Sequence, residues 1–540
     1  MSAWHPHIVI FNARIFDPLT RRVAPATALA VWENRIVAIG LDHEMRELAG
    51  PATLQLDARR HWLLPGLVDS HIHLTEFALR RQELDFSNCS ALEEALELVR
   101  RAVEARPAGS WITGGGWDVR RLGLSGFPDR AWLDAISQDH LMVFASRDWH
   151  SVWVNSPVLE RAGIDAHTPD PEGGKILRRN SGKEPTGVLQ EKACQMVYGL
   201  VPPAEFEQVG EALNDVFAEF HRQGITAVHV METPREWRFY QLLRQQRQLQ
   251  LRISWYAFVE HLDALKQSGL ASGLGDAWLQ VGGIKIFVDG SLGSQTAEML
   301  APYQGLDHAG VEVRPEAELT ELVEEATANG LACAIHAIGD RANRKALNAI
   351  ETARERYPSR EVRHRIEHAQ LLHPEDLPRF VRLNVIASMQ PIHLAEDVPA
   401  IEALWGERGR YAFAFQSLLA RGTRLAFGSD APVERINPWQ GMFMAVTRKA
   451  HLDPAQPTFY PEESISLAEA VAAYTIHPHY AVGLEYRLGR ITPGNLADFI
   501  IVDQDVFNDP PETLLENQVL LTCLDGQIVY RRSGEQLIEL

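Results

Sequence analysis

Two histidines one residue apart, His71 and His73, close the stretch PGLVDSHIHL at residues 65–74. In a strand, alternate side chains share a face, so the two imidazoles point the same way. Neutral imidazole is the commonest side-chain metal ligand. The pair alone is also what surface or satisfied core histidines look like in a chain that has 21 of them. The choice depends on what else reaches the same level. Lys285 stands in the apolar run GGIKIFVDG, where a bare ammonium needs a partner or a lowered pKa. It either pairs with Asp289 or snorkels outward, or it is a desolvated neutral amine that adds carbon dioxide and becomes an anionic carbamate. His336 in AIHAIGD, His368 in RIEHAQ and Asp430 in FGSDAPV each fall at the end of a further apolar run.

The elements that must position these groups are strands alternating with helical stretches, the pattern of a parallel α/β fold. Strand candidates are residues 61–70, 225–230, 251–259, 281–289, 332–337, 364–369, 384–390 and 424–430. Helical stretches such as ELTELVEEATANG and DRANRKALNAIETARERY separate several of them. Eight such runs predict a (β/α)8 TIM-type barrel over residues 63–485, with functional residues at the C-terminal strand ends. The barrel holds only if residues 75–205 are an insertion after its first strand, a subdomain capping the mouth. Both chain ends, residues 1–62 and 486–540, alternate apolar and polar residues around turns and read as short strands, with Asp525-Gly526 as a hairpin signal.

Composition narrows the partners. A hydrophobic share of 46% with 23% charged residues argues for a folded chain, not a disordered one. The formal charge of −19 disfavours phosphate backbones, so no nucleic acid is expected. No apolar run reaches the ~20 residues of a membrane span, and no secretory signal is read at the N-terminus. Cys89, Cys194, Cys333 and Cys523 are widely spaced and read as reduced thiols of a cytoplasmic protein. The expected partner is a small-molecule substrate, with a homodimer as the assembly to test.

Seven separated motifs occur in one order: PGLVDSHIHL, GGIKIFVDGSLGS, HAIGDRAN, RIEHAQ, ASMQPIH, FGSDAPV and GRITPGNLADFIIVD. Together they resemble the amidohydrolase superfamily, and within it the branch that contains N-substituted formamide deformylase (amidohydrolase family 3). The resemblance implies a metal-dependent hydrolase of non-peptide carbon–nitrogen bonds, with zinc as the expected ion at one or two per chain. It implies that His71, His73 and Asp430 hold one metal, that His336 and His368 hold a second, and that a carbamate on Lys285 bridges them. It also implies that the β-rich ends form a composite sandwich beside the barrel. A metal lowers the pKa of bound water towards ~7 and polarises a carbonyl, and Asp430 is the expected general base that passes a proton to the leaving amine.

Softer candidates for substrate binding are His393 in MQPIHLAED and, in the insertion, Trp117, His150, Asn155 and Glu191. His229 reads as pocket lining or core, and Asp289 and Asp340 read equally as groups that support the ligands or cap helices and as catalytic ones. The chain departs from the branch at Gln295 in GSLGSQTA, where an arginine is usual. Two rivals remain open: an ester, lactone or phosphotriester hydrolase on the same centre, and a non-enzymatic binding or regulatory protein on an inherited barrel. The intact ligand set argues against the second.

Overall fold

The computed structural model describes residues 5–147, 151–171, 173–179, 183–534 and 537–539. The chain divides into two compact units, one of residues 1–74 and 214–540, the other of residues 75–213.

The first unit contains an eight-stranded sheet of parallel strands: β1 (Leu67–Ile72), β2 (Ile225–Glu232), β3 (Arg252–Phe258), β4 (Leu279–Phe287), β5 (Ala332–Ala337), β6 (Arg365–His368), β7 (Ile386–Met389) and β8 (Leu425–Phe427). Every strand pairs in parallel with the next in the chain. The strands are almost wholly buried, which is why they read as apolar runs without alternation. The sheet closes into a (β/α)8 barrel where the chain beyond β8 returns to β1. There Asp430 N donates to His71 O at 2.7 Å, and Ser429 N donates to Asp69 Oδ1 at 3.0 Å. Gly428 makes that seam, since a Cβ there would stand 2.5 Å from His71 N and 2.7 Å from Asp69 Oδ1. Helices on the outside start at local signals, such as the Thr233–Glu236 capping box ahead of Pro234–Gln245.

Two further sheets belong to this unit. One has five strands in the order Ile538–Glu539, Leu54–Asp57, Ile8–Phe11, Ala28–Trp32, Arg35–Gly40. The other has six, in the order Gln527–Arg531, Val519–Leu524, Phe499–Val502, Trp62–Pro65, Arg14–Asp17, Arg22–Val23. Both chain ends therefore contribute to both sheets, and Ile10, Leu29, Leu56, Leu63, Phe499 and Leu521 pack into one apolar core. Asn12, in the left-handed region at φ 51°, splits HIVIFNARIF so that its halves join different sheets. Asp525 and Gly526, both at positive φ, turn the C-terminal hairpin. The run HWLLPGLVDS is likewise two strands and not one: Trp62–Pro65 pairs with Phe499–Val502, and only from Leu67 does the chain enter the barrel. The break falls at Gly66, where a Cβ would meet Thr226 Oγ1 at 2.3 Å. A buried arginine at the start of β3 ties the barrel to the six-stranded sheet: Arg252 donates to Asp498 at 2.6 and 2.8 Å and to Asp525 at 2.8 Å.

The second unit has its own mixed sheet of six strands, with Leu141–Ser146 and Trp111–Trp117 parallel at its centre. Helix Leu92–Glu104 buries Ala95, Leu96, Val99 and Ala102 at helical spacing in that unit's core. Among the described residues no helix is long and apolar enough to cross a membrane.

Candidate metal centre

The C-terminal ends of the barrel strands converge on one cluster. His71 Nε2 lies 3.4 Å from Asp430 Oδ1 and 3.4 Å from Lys285 Nζ. His73 Nε2 is 3.5 Å from the same Asp430 oxygen. The rings of His71 and His368 have centroids 5.1 Å apart, and those of His368 and His336 4.5 Å. Ligand atoms of His71, His368 and Asp430 lie within 4.8 Å of one another, close enough to share a cation. His393 joins the group from the turn after β7, with Nε2 3.9 Å from Asp430 Oδ2. The six residues read as ligands, and His393 with them, are thus brought together.

Hydrogen bonds decide which ring nitrogens are left for a metal. His71 Nδ1 donates to Glu367 Oε2 at 2.6 Å, His73 Nδ1 to Met231 O at 2.9 Å, and His336 Nε2 to Gly290 O at 3.0 Å. Carboxylate and carbonyl oxygens only accept, so in the neutral rings of His71 and His336 the contact fixes the hydrogen on one nitrogen and leaves a lone pair on the other. His368 Nδ1 and His393 Nε2 are buried with no hydrogen-bond partner among the described residues. Buried polar atoms are nearly always paired, so these orphans fit a group the protein chain does not itself supply. Nitrogen and carboxylate donors of this kind suit zinc and neighbouring first-row divalent ions.

Electrostatics agree with that donor set. Burial, reinforced by Lys285, lowers His71 to about 4 and His336 to about 3, so both rings are neutral at physiological pH. His368 is likewise lowered well below its ordinary value by burial and by His336. Burial opposes the charge on Asp430, and only positive charge placed among the surrounding imidazoles, His71 foremost, holds the carboxylate well below the usual range, a charge that a cation bound by neutral rings would supply. Lys285 is lowered to about 8, chiefly by burial, so about a tenth of it is neutral amine at pH 7. His368 and Asp430 both adopt left-handed backbone, at φ 69° and 60°. Such strain costs on the order of 1–3 kcal/mol and collects at functional sites.

Two residues that carry the site were not singled out from the sequence. Glu367 and Arg365 are fully buried on β6, and Glu367 receives both the Arg365 guanidinium and the His71 imidazole. Burial alone would raise Glu367, but Arg365 and His71 reverse the balance and hold it well below its ordinary value. Arg365 also donates to Ser70 O and Ser388 Oγ and meets His229 Nδ1, so it ties β1, β2, β6 and β7 beneath the cluster. The signal was present in HRIEHA, where opposite charges two residues apart share one strand face beside a ligand. His229 is accordingly part of the barrel interior.

The remaining candidates occupy stated places. Asp289 accepts from the backbone N–H of Glu298, Ile338 and Gly339 and organises the loops after β4 and β5. Asp340 accepts from Leu300 N at the start of helix Asp340–Arg356. Gln295 sits in the loop after β4 at φ 57°. In the second unit, Trp117 is buried and donates its indole N–H to Phe144 O. Asn155 is also buried there; its amide accepts from Met142 N and donates to His140 O. The polar groups of both side chains are engaged within that core, and Trp117 also lines a cavity beside Glu191. Glu191, at φ 51°, lines a cavity of about 610 Å³ with Arg120, Phe127 and Arg147. His150 lies outside the described residues.

A barrel whose mouth gathers imidazoles, a buried lysine and a carboxylate defines a metal-dependent hydrolase class, and the comparisons place the chain within it. The model of the amidohydrolase family matches residues 56–530. The Arabidopsis thaliana protein LONG AFTER FAR-RED 3 is 33% identical over 94% of this chain and 88% of its own length. The N-substituted formamide deformylase of Arthrobacter pascens is 28% identical over 98% of this chain and 99% of its own. A metal-dependent hydrolase of Pyrococcus furiosus superposes with a TM-score of 0.78, at 26% identity, over 94% of this chain and 99% of its own. The chain belongs to the amidohydrolase family and is a hydrolase acting on carbon–nitrogen bonds.

Proposed function

We propose that the chain cleaves a non-peptide amide, an N-acyl or N-formyl compound, at a centre of one or two divalent ions, zinc foremost. The observation that carries this reading is a fixed pair of lone pairs beside a carboxylate: His71 Nε2 and His336 Nδ1 are presented by hydrogen bonds on the opposite ring nitrogen, and His71 Nε2 stands 3.4 Å from Asp430 Oδ1. His71, His73, His336, His368, Asp430 and a carbamate formed on Lys285 would hold the ions. An ion bound there supplies acidified water and a polarising charge on the substrate carbonyl.

The chain's own residues supply the rest. Lys285 offers a partly neutral amine, whose nitrogen adds to carbon dioxide with loss of a proton and so turns a buried cation into an anionic oxygen ligand. Asp430, kept anionic, takes the proton of the attacking water and returns it to the departing amine nitrogen. His393, with Nε2 unpartnered and 3.9 Å from Asp430, is placed to meet an oxygen that gains negative charge. The likeness to the Arthrobacter pascens formamide deformylase over nearly the full length supports an N-formyl or N-acyl substrate. The four cysteines are unpaired and buried, which supports a reducing, cytoplasmic compartment.

The test is a substrate panel on metal-loaded protein: formamides, acetamides, lactones and aryl esters. Formamide or acetamide turnover that is abolished in Asp430→Asn, with part of the metal retained, is expected. Turnover of lactones or esters alone would replace the amide reading, and full activity of Asp430→Asn would reject the proton role.

A further inference from the structure

Phe287 is the last residue of β4 and the only one in that strand exposed to solvent, at 37%. Residues two apart in a strand face the same way, so Phe287 stands on the Lys285 side of β4, one layer nearer the mouth. Its ring centroid is 5.0 Å from Lys285 Nζ and 5.2 Å from the centroid of His336. On its other side lies Phe258, the last residue of β3, with centroids 6.1 Å apart and planes inclined by 30°. Two near-parallel phenyl rings thus form a ledge at the rim of a cluster that is otherwise imidazole, carboxylate and amine. Single exposed apolar residues are ordinary on a protein surface. A stacked pair in contact with the candidate centre is different, because it stands beside the groups that would hold a substrate.

We propose that Phe287, with Phe258 behind it, is a specificity-determining ledge that takes a flat apolar group, an aromatic ring, carried by the amide substrate. This rests on the cluster being the hydrolytic centre. Covering a phenyl face and stacking on it contributes about tenfold in transition-state binding, and a substrate with only a methyl group gains none of that.

The experiment compares wild type, Phe287→Ala and Phe287→Leu, each checked for equal metal content and circular dichroism. Two probe pairs are used: N-(2-phenylethyl)formamide with N-methylformamide, and N-methylphenylacetamide with N-methylacetamide. The ratio of kcat/KM, aromatic over methyl, is expected to fall about tenfold in Phe287→Ala in at least one pair, with Phe287→Leu between. Saturation-transfer NMR on the two aromatic probes reads binding without turnover, and the signal on the ring protons should weaken in Phe287→Ala. Turnover with an unchanged ratio and an unchanged NMR signal overturns the ledge while leaving the amide reading intact. Ring binding that depends on Phe287 without turnover supports the ledge and sinks the amide reading. No turnover and no Phe287-dependent binding overturns both.

Discussion

Replacing Glu367 with Gln keeps the shape of the side chain and removes its charge. In the native site two guanidinium N–H groups of Arg365 and the Nδ1–H of His71 converge on the two carboxylate oxygens, with His71 at 2.6 Å, and all three side chains are buried. Glutamine has one acceptor oxygen. If it serves Arg365, the amide NH2 faces the His71 N–H, donor against donor. The ring escapes by moving its hydrogen to Nε2, and that consumes the lone pair aimed at Asp430 and Lys285. Loss of such an orienting partner typically weakens metal binding 10- to 100-fold, about 1.4–2.7 kcal/mol. Arg365 would also be left without its anion, and an unpaired buried charge costs on the order of 3–5 kcal/mol. The assay is chelator competition on metal-free Glu367→Gln, alongside the ring 15N shifts of His71. The expected outcome is a 10- to 100-fold weaker metal and a switched His71 tautomer. Metal affinity within twofold of wild type, with His71 still protonated on Nδ1, would refute the reasoning.

Other perturbations read different parts of the design. Gly428→Ala puts a methyl 2.5 Å from His71 N, so the seam must open; a loss of about 1–3 kcal/mol in thermal unfolding and lower metal content are expected. Metal reconstitution should require bicarbonate in wild type and lose that dependence in Lys285→Ala, measured as metal bound per chain. His364 is fully buried and lowered by burial to about 3. The unfolded imidazole takes a proton below about 6.5 while the folded one stays neutral, so its stability is complete above about pH 6.5 and lost as pH falls towards 3. Urea titrations of His364→Gln should therefore show an acid decline shallower by about 1.4 kcal/mol per pH unit than wild type.

The alternation of apolar runs and helices made the barrel legible, because strands covered on both faces carry no polar interruptions except where chemistry needs them. Lys285 and the histidines stood out for that reason. The split of HWLLPGLVDS was hidden, since one unbroken apolar run serves two sheets and only the close approach of Gly66 to Thr226 reveals the joint. Glu367 and Arg365 were hidden too: a charge pair in a strand reads as solvated until the neighbouring strands are known to cover it. The polar groups of Trp117 and Asn155 could not be placed from sequence either, since only the fold shows that their hydrogen bonds close within their own core.

The proposed chemistry requires at least one divalent cation seated among His71, His73, His336, His368 and Asp430. Diffraction data collected at the absorption edge of the metal in reconstituted protein test this directly. One or two anomalous peaks in coordinating contact with these imidazoles and the Asp430 carboxylate are the predicted result. A fully metal-loaded crystal with its anomalous signal elsewhere, and none among these residues, would contradict it.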